Sequence, residues 1–105
     1  MAFIFNGKNQ RKNQRNEYYY LFVKYDCPKC KEIIDFFRKT KKFYRAVFML
    51  EASSKSGWEQ CQKYNILKLP TLVLLTKDNK AIDSFYTLKE IKEHIDKQNV
   101  IEALT

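Results

Sequence analysis

The chain is poor in what several protein classes require. Its 105 residues include two glycines, two prolines, one tryptophan, one histidine and three cysteines. Three cysteines are too few for a disulfide scaffold, and an odd number fits a reducing compartment. No apolar run approaches the roughly 20 residues that a membrane helix needs. Met1 to Phe5 is too short for the apolar part of a secretory signal, and the basic residues follow it instead of preceding it. A chain of this length allows one domain with one core. What is present in quantity is apolar and charged side chains, 45% and 30% respectively, a balance that supports a packed core over a disordered chain. These features describe a soluble intracellular domain, and we expect a cytoplasmic monomer with no membrane attachment.

Acidic residues are scarce in one half of the chain only. The formal net charge is +8, and all of it lies in residues 1–45, where twelve Lys and Arg face four acids; residues 46–105 hold eight of each sign. Asn6 to Glu17 contains no apolar residue and reads Lys-Asn-Gln-Arg twice in succession. Such a stretch has no face to bury, so residues 1–17 read as a polar basic arm. Phe3, Ile4 and Phe5 ahead of it suit a short edge strand at 3–5 or a small packed anchor. Residues 18–105 read as the folded domain.

From Tyr18 the pattern changes. Tyr18 to Tyr25 is aromatic and β-branched and predicts a buried strand. Cys30, Ile33, Ile34 and Phe37 follow at the spacing of one helix face, running to about Lys39. Pro28 suits the first helical position, where its missing N–H is no loss, and this puts Cys27 near the N-cap. Phe43 to Leu50 predicts a second strand. Ser56-x-x-Glu59 has the form of a capping box for a short helix ending near Tyr64. Leu69 to Leu75 predicts a third strand with Pro70 near its start. Lys77 to Lys80 is a turn of hairpin length, and Ala81 to Tyr86 a fourth strand. Thr87-x-x-Glu90 opens a last helix whose buried face is Leu88, Ile91 and Ile95. The order is β-α-β-α-β-β-α. Right-handed crossovers make the first two strands parallel, and the hairpin makes the last two antiparallel. The expected fold is α/β, a mixed four-stranded sheet flanked by helices on both faces.

Cys27-Pro28-Lys29-Cys30 stands directly after a strand and opens a helix. Unpaired amide N–H groups and the helix dipole favour an anion there, so a thiolate at Cys27 is favoured. Lys29 adds positive charge, Lys24 and Lys31 lie close in sequence, and Asp26 opposes them. Cys30, one turn on, is within reach to close a short disulfide. Attack by Cys27 on a substrate disulfide gives a mixed disulfide that Cys30 resolves.

Competing readings are weaker. A four-coordinate zinc site needs two more ligands, and Cys61 and His94, the remaining Cys and His, sit on different helices without paired spacing; no metal is expected. Cys61, on a face with Trp58 and Tyr64, reads as buried packing, and Trp58 as core. Tyr25 is either an exposed docking residue or, by period two, core. His94 reads as a solvated surface residue. Lys39 to Lys42 complements the dipole at a helix C-terminus. Phosphate contacts by the basic arm are conceivable, but no nucleic-acid module is recognisable and nucleic acid is not expected as the partner.

The same residues resemble the thioredoxin superfamily, with Lys24-Tyr25-Asp26-Cys27-Pro28-Lys29-Cys30 most similar to the glutaredoxin pattern Lys-x-x-Cys-Pro-x-Cys. Leu69-Pro70-Thr71, about 40 residues downstream, looks like the family's cis-proline motif. The similarity covers about residues 18–98. It implies a cis Leu69–Pro70 bond facing Cys27 and a substrate segment pairing with the backbone of Leu69. Two departures stand out. Asp83 to Lys89 lacks the glycine pair with which glutaredoxins help hold glutathione, so a glutathione site is not evident. Leu21 occupies the place of the buried acid found in thioredoxins.

The sequence therefore predicts a dithiol–disulfide oxidoreductase without a resident cofactor, glutathione being the one small molecule in question. Cys27 and Cys30 form its catalytic pair and redox-active disulfide, and Lys24, Lys29, Leu69, Pro70 and Thr71 its substrate-binding residues. Its partners are disulfide-containing proteins and an electron donor, either glutathione or a thioredoxin-reductase-type enzyme; it acts in turn as a donor to a reductase such as ribonucleotide reductase. The alternative is a non-catalytic binding module that uses the basic N-terminal face.

Overall fold

The computed structural model describes residues 2–4, 17–40 and 46–104. The basic arm over 6–16, the Lys41–Lys42 part of the basic run and the expected strand start at 43–45 lie outside the described residues. The elements are β1 (Ala2–Ile4), β2 (Glu17–Val23), α1 (Pro28–Lys39), β3 (Ala46–Glu51), α2 (Lys55–Lys63), β4 (Thr71–Thr76), β5 (Ala81–Phe85) and α3 (Leu88–Leu104).

Strand β2 organises the rest, because alternate residues point to opposite faces of the sheet and both faces are covered. Tyr19, Leu21 and Val23 join one buried cluster with Ile33 and Phe37 of α1 and Ile91 and Ile95 of α3. Phe22 points the other way, into a cluster with Cys61 of α2. Strand β4 divides likewise, Leu72 and Leu74 to the first cluster and Val73 and Leu75 to the second. A strand covered on both faces reads as a continuous apolar run, which is why these two were visible in the sequence. Each such side chain, fully buried, contributes roughly 1.5–3 kcal/mol.

The sheet order is β1-β3-β2-β4-β5. The four strands expected form its contiguous part, with β2 parallel to β3 and antiparallel to β4, and β4 antiparallel to β5. A fifth strand is added: β1 pairs antiparallel with β3, from Ala2 opposite Leu50 to Ile4 opposite Phe48. In the β4–β5 turn Asn79 takes a left-handed conformation, φ 63°, which asparagine tolerates better than most residues.

Four local readings are corrected. Strand β2 stops at Val23, so Tyr25 lies in a turn, 86% exposed, and period two does not extend to it. The N-cap of α2 is Ser54, not Ser56: its Oγ accepts the Gly57 N–H at 3.0 Å and donates to the Glu51 carbonyl at 2.7 Å. The face of α2 that packs inward is then Gly57 and Cys61, one turn apart, which leaves Trp58 at the surface, 58% exposed. His94 is half-buried, its Nε2 2.7 Å from the Tyr19 hydroxyl and its ring 4.3 Å from that of Phe85.

Helix α3 opens as its sequence predicts. The Thr87 hydroxyl accepts the Glu90 N–H at 3.1 Å, and Glu90 Oε1 accepts the N–H groups of Tyr86 and Thr87 at 3.1 and 3.0 Å. This reciprocal pairing satisfies donors that the helix start would otherwise leave unpaired.

Candidate active site

Strand register gathers four connections at one end of the sheet. Phe22 is opposite Thr71, Val23 beside Glu51, and Leu72 opposite Phe85. The segment after β2, the one before α2, the one before β4 and the one after β5 therefore share a rim, and the Ala52 N–H bonds the Val23 carbonyl across it at 2.8 Å.

Cys27 is the N-cap of α1, with extended backbone (φ −113°, ψ 109°) and Pro28 in the first turn. Its Sγ accepts the backbone N–H of Cys30 at 3.2 Å, so sulfur stands where a capping oxygen usually does. Cys27 is half-buried, whereas Cys30 has no exposed surface. Burial pushes the Cys30 thiol up to about 12, helped by its hydrogen bond to Cys27 and partly offset by a backbone hydrogen bond at Lys24. One sulfur thus sits at the rim within the field of helix amides, and the other waits behind it as a protonated thiol. All three cysteines are free thiols in this structure.

The Leu69–Pro70 peptide is cis. Pro70 is buried, and Leu69 packs against both core clusters. Thr71, 2% exposed, donates from Oγ1 to the Lys68 carbonyl at 2.6 Å, which fixes the loop entering β4. Lys29 and Ile33, from the first two turns of α1, line a cavity of about 300 Å³ together with Leu69 and Pro70. Of the residues singled out from sequence, this space brings Lys29, Leu69 and Pro70 together. Lys24 lines a different groove, of about 320 Å³, with Trp58, Leu67 and Leu69.

Sequence reasoning missed Lys68 and Tyr86. Lys68 is exposed and borders both spaces, with its Nζ 4.3 Å from the centroid of the Tyr86 ring. The available signal was its position two residues before the proline. Among the described residues no group of three or more His, Cys, Asp and Glu is placed to hold a metal ion, and none of their helices is long and apolar enough to cross a membrane.

Two thiols so unequal in exposure, one turn apart at the start of a helix and on the rim of an α/β sheet, are arranged for dithiol–disulfide exchange, and the class they define is thiol–disulfide oxidoreductase. The sequence model of the family described as Thioredoxin matches residues 7–99. The chain belongs to the thioredoxin family. No curated protein sequence matches it. Solved structures show the same fold at low identity. The oxidised thioredoxin of Plasmodium falciparum is 21% identical over 87% of this chain and 88% of that one, with a TM-score of 0.66. The reduced thioredoxin of Schistosoma mansoni is 20% identical over 83% of each chain, TM-score 0.64. The thioredoxin of Aeropyrum pernix is 13% identical over 95% of this chain and 93% of that one, TM-score 0.62.

Proposed function

We propose that this protein reduces disulfides of protein and small-molecule substrates with Cys27 as nucleophile and Cys30 as resolving thiol. The observation that carries the reading is the capping geometry: Cys27 Sγ accepts the Cys30 N–H at 3.2 Å while Cys30 itself is buried. The Cys27 thiolate attacks one substrate sulfur, the substrate S–S bond breaks, and the departing sulfur takes the electron pair and a proton. Cys30 then loses its proton and attacks Cys27, releasing the second substrate thiol and leaving a Cys27–Cys30 disulfide. An extended substrate segment lies along Leu69, Pro70 and Thr71, and Lys24 and Lys29 draw in acidic partners. The disulfide is reduced again by a thioredoxin-reductase-type donor. Glutathione is the second candidate donor, with no glycine pair in Asp83 to Lys89 to favour it. The site of action is the cytoplasm, with a disulfide-forming reductase such as ribonucleotide reductase among its targets.

The test is insulin reduction with dithiothreitol as the source of electrons. The wild type accelerates precipitation of the insulin chains, and Cys27→Ser abolishes the acceleration. Incubated with insulin in the absence of dithiothreitol, pre-reduced Cys30→Ser accumulates a mixed disulfide on Cys27, visible as an added mass that dithiothreitol then removes. Equal rates for wild type and Cys27→Ser would defeat the proposal.

A further inference from the structure

Two grooves of different chemistry flank Leu69. On one side Trp58, Ile66 and Leu67 make a largely apolar space of about 320 Å³ with Lys24 and Lys68 at its border; Leu67 is 92% exposed there. On the other, Lys29, Glu32, Lys68, Pro70 and Tyr86 surround about 300 Å³. Two cations face one carboxylate in the second groove. Glu90 lies nearby: its Oε1 accepts from the amides of Tyr86 and Thr87 and from the Thr87 hydroxyl, and its carboxylate feels the Lys68 ammonium as well, so Lys68 faces the groove with Glu90 behind it. Lys68 borders both grooves, and its ammonium is held over the Tyr86 ring at 4.3 Å, a contact that restrains a side chain otherwise free to swing. The Lys68 ammonium is thus oriented before any substrate arrives.

We propose that this groove selects disulfides whose reacting cysteine is flanked by an acidic side chain, and that Lys68 sets the preference. The inference rests on Cys27 being the attacking thiol. In an extended segment running along Leu69, successive side chains point to opposite sides. The two neighbours of the reacting cysteine therefore share one side of the segment, and a neighbour that reaches the groove beside Pro70 meets Lys29 and Lys68. Lys29 comes from the first turn of α1, two residues after Cys27, so the charge acts close to the sulfur being attacked.

The experiment uses one peptide sequence with a single cysteine, flanked by Glu, Gln or Lys, in each case as a mixed disulfide with 2-thiopyridine. Attack by Cys27 on the peptide sulfur breaks the S–S bond and expels pyridine-2-thione, which is followed by absorbance. Each rate is divided by the rate of the same peptide with 2-mercaptoethanol, which removes differences in intrinsic reactivity. The Glu peptide is expected to react about five- to tenfold faster than the Lys peptide at low salt, with the ratio shrinking as salt screens the charges. Lys68→Gln narrows the ratio, Lys68→Glu inverts it and Lys68→Arg keeps it. Equal normalised rates for the Glu and Lys peptides, or a ratio that Lys68→Gln and Lys68→Glu leave untouched, would overturn the proposal. Failure of every peptide, the uncharged Gln one included, would instead remove the reading of Cys27 on which it rests.

Discussion

Cys30 holds its proton because its surroundings cannot solvate a thiolate. The thiol is pushed from 9.0 to about 12, burial being the largest cause. In the unfolded chain the same thiol ionises at its ordinary value. Between pH 9 and 12 the folded, reduced protein therefore retains a proton that the unfolded chain has lost, and folding loses stability as pH rises through this window. Below pH 9 both states carry the proton and the contribution is constant. Oxidation removes the titrating group, since Cys30 is then bonded to Cys27. The melting temperature of the reduced protein should accordingly fall more steeply above pH 9 than that of the oxidised protein. Cys61 and Tyr18, also shifted upward by burial, titrate in both forms and cancel in the comparison. Parallel profiles would mean that the interior at Cys30 does not hold its proton. The placement of the two cysteines and the proline was legible in sequence because it follows from local position: the N-cap and first turn of a helix, and the residue just before a strand. His94 was not, because the group that half-buries it, the Tyr19 hydroxyl, is 75 residues away. Lys68 was not, because a single lysine carries no pattern until the loop places it over Tyr86.

At the scale of elements, the helix starts decide how firmly the rim is held. Thr87 and Ser54 each supply the capping oxygen of one helix, and Thr87→Ala or Ser54→Ala should lower stability by about 0.5–2 kcal/mol in urea denaturation. Gly57 is a different case. A Cβ at that position would sit 1.9 Å from the Glu51 carbonyl oxygen, and that oxygen is backbone, fixed by β3 and by the Ser54 hydroxyl. Gly57→Ala must push α2 away from the end of β3 and should cost about 3 kcal/mol, more than either cap. A loss no greater than that of Ser54→Ala would show that α2 shifts freely. The comparison of Ser54 with Ser56 explains why one capping box was legible and the other was not. Both Thr87-x-x-Glu90 and Ser56-x-x-Glu59 fit the pattern, and the sequence offers no reason to prefer either. What separates them is the close approach of Gly57 to Glu51, which starts α2 two residues earlier than the pattern suggests and leaves Ser56 inside the helix. Capping signals report a local possibility; a contact with a distant strand chooses among them.

At the scale of the molecule, the sheet has two ends and two edges with different duties. Among the described residues, the site end draws on the connections of β2, β3, β4 and β5, and not on β1. Strand β1 is three residues long and covers β3 opposite Leu50, Met49 and Phe48. Without it, β3 would present unpaired backbone groups beside Phe48 and Met49, both only half-buried, which is the usual template for association between sheets. Removing residues 1–16 also deletes Lys8, Arg11, Lys12 and Arg15 with no acid, so the formal charge falls from +8 to +4 and long-range repulsion between copies weakens. Both changes act in one direction. The shortened chain should self-associate at concentrations where the full chain does not, as measured by sedimentation velocity, while insulin reduction per folded molecule stays within about twofold in dilute solution. Lys24, Lys29 and Lys68 remain in the shortened chain, so its preference for the Glu-flanked peptide should remain too. If that preference disappeared with residues 1–16, the steering charge would belong to the arm, and the basic groove beside Pro70 would have no part in substrate choice.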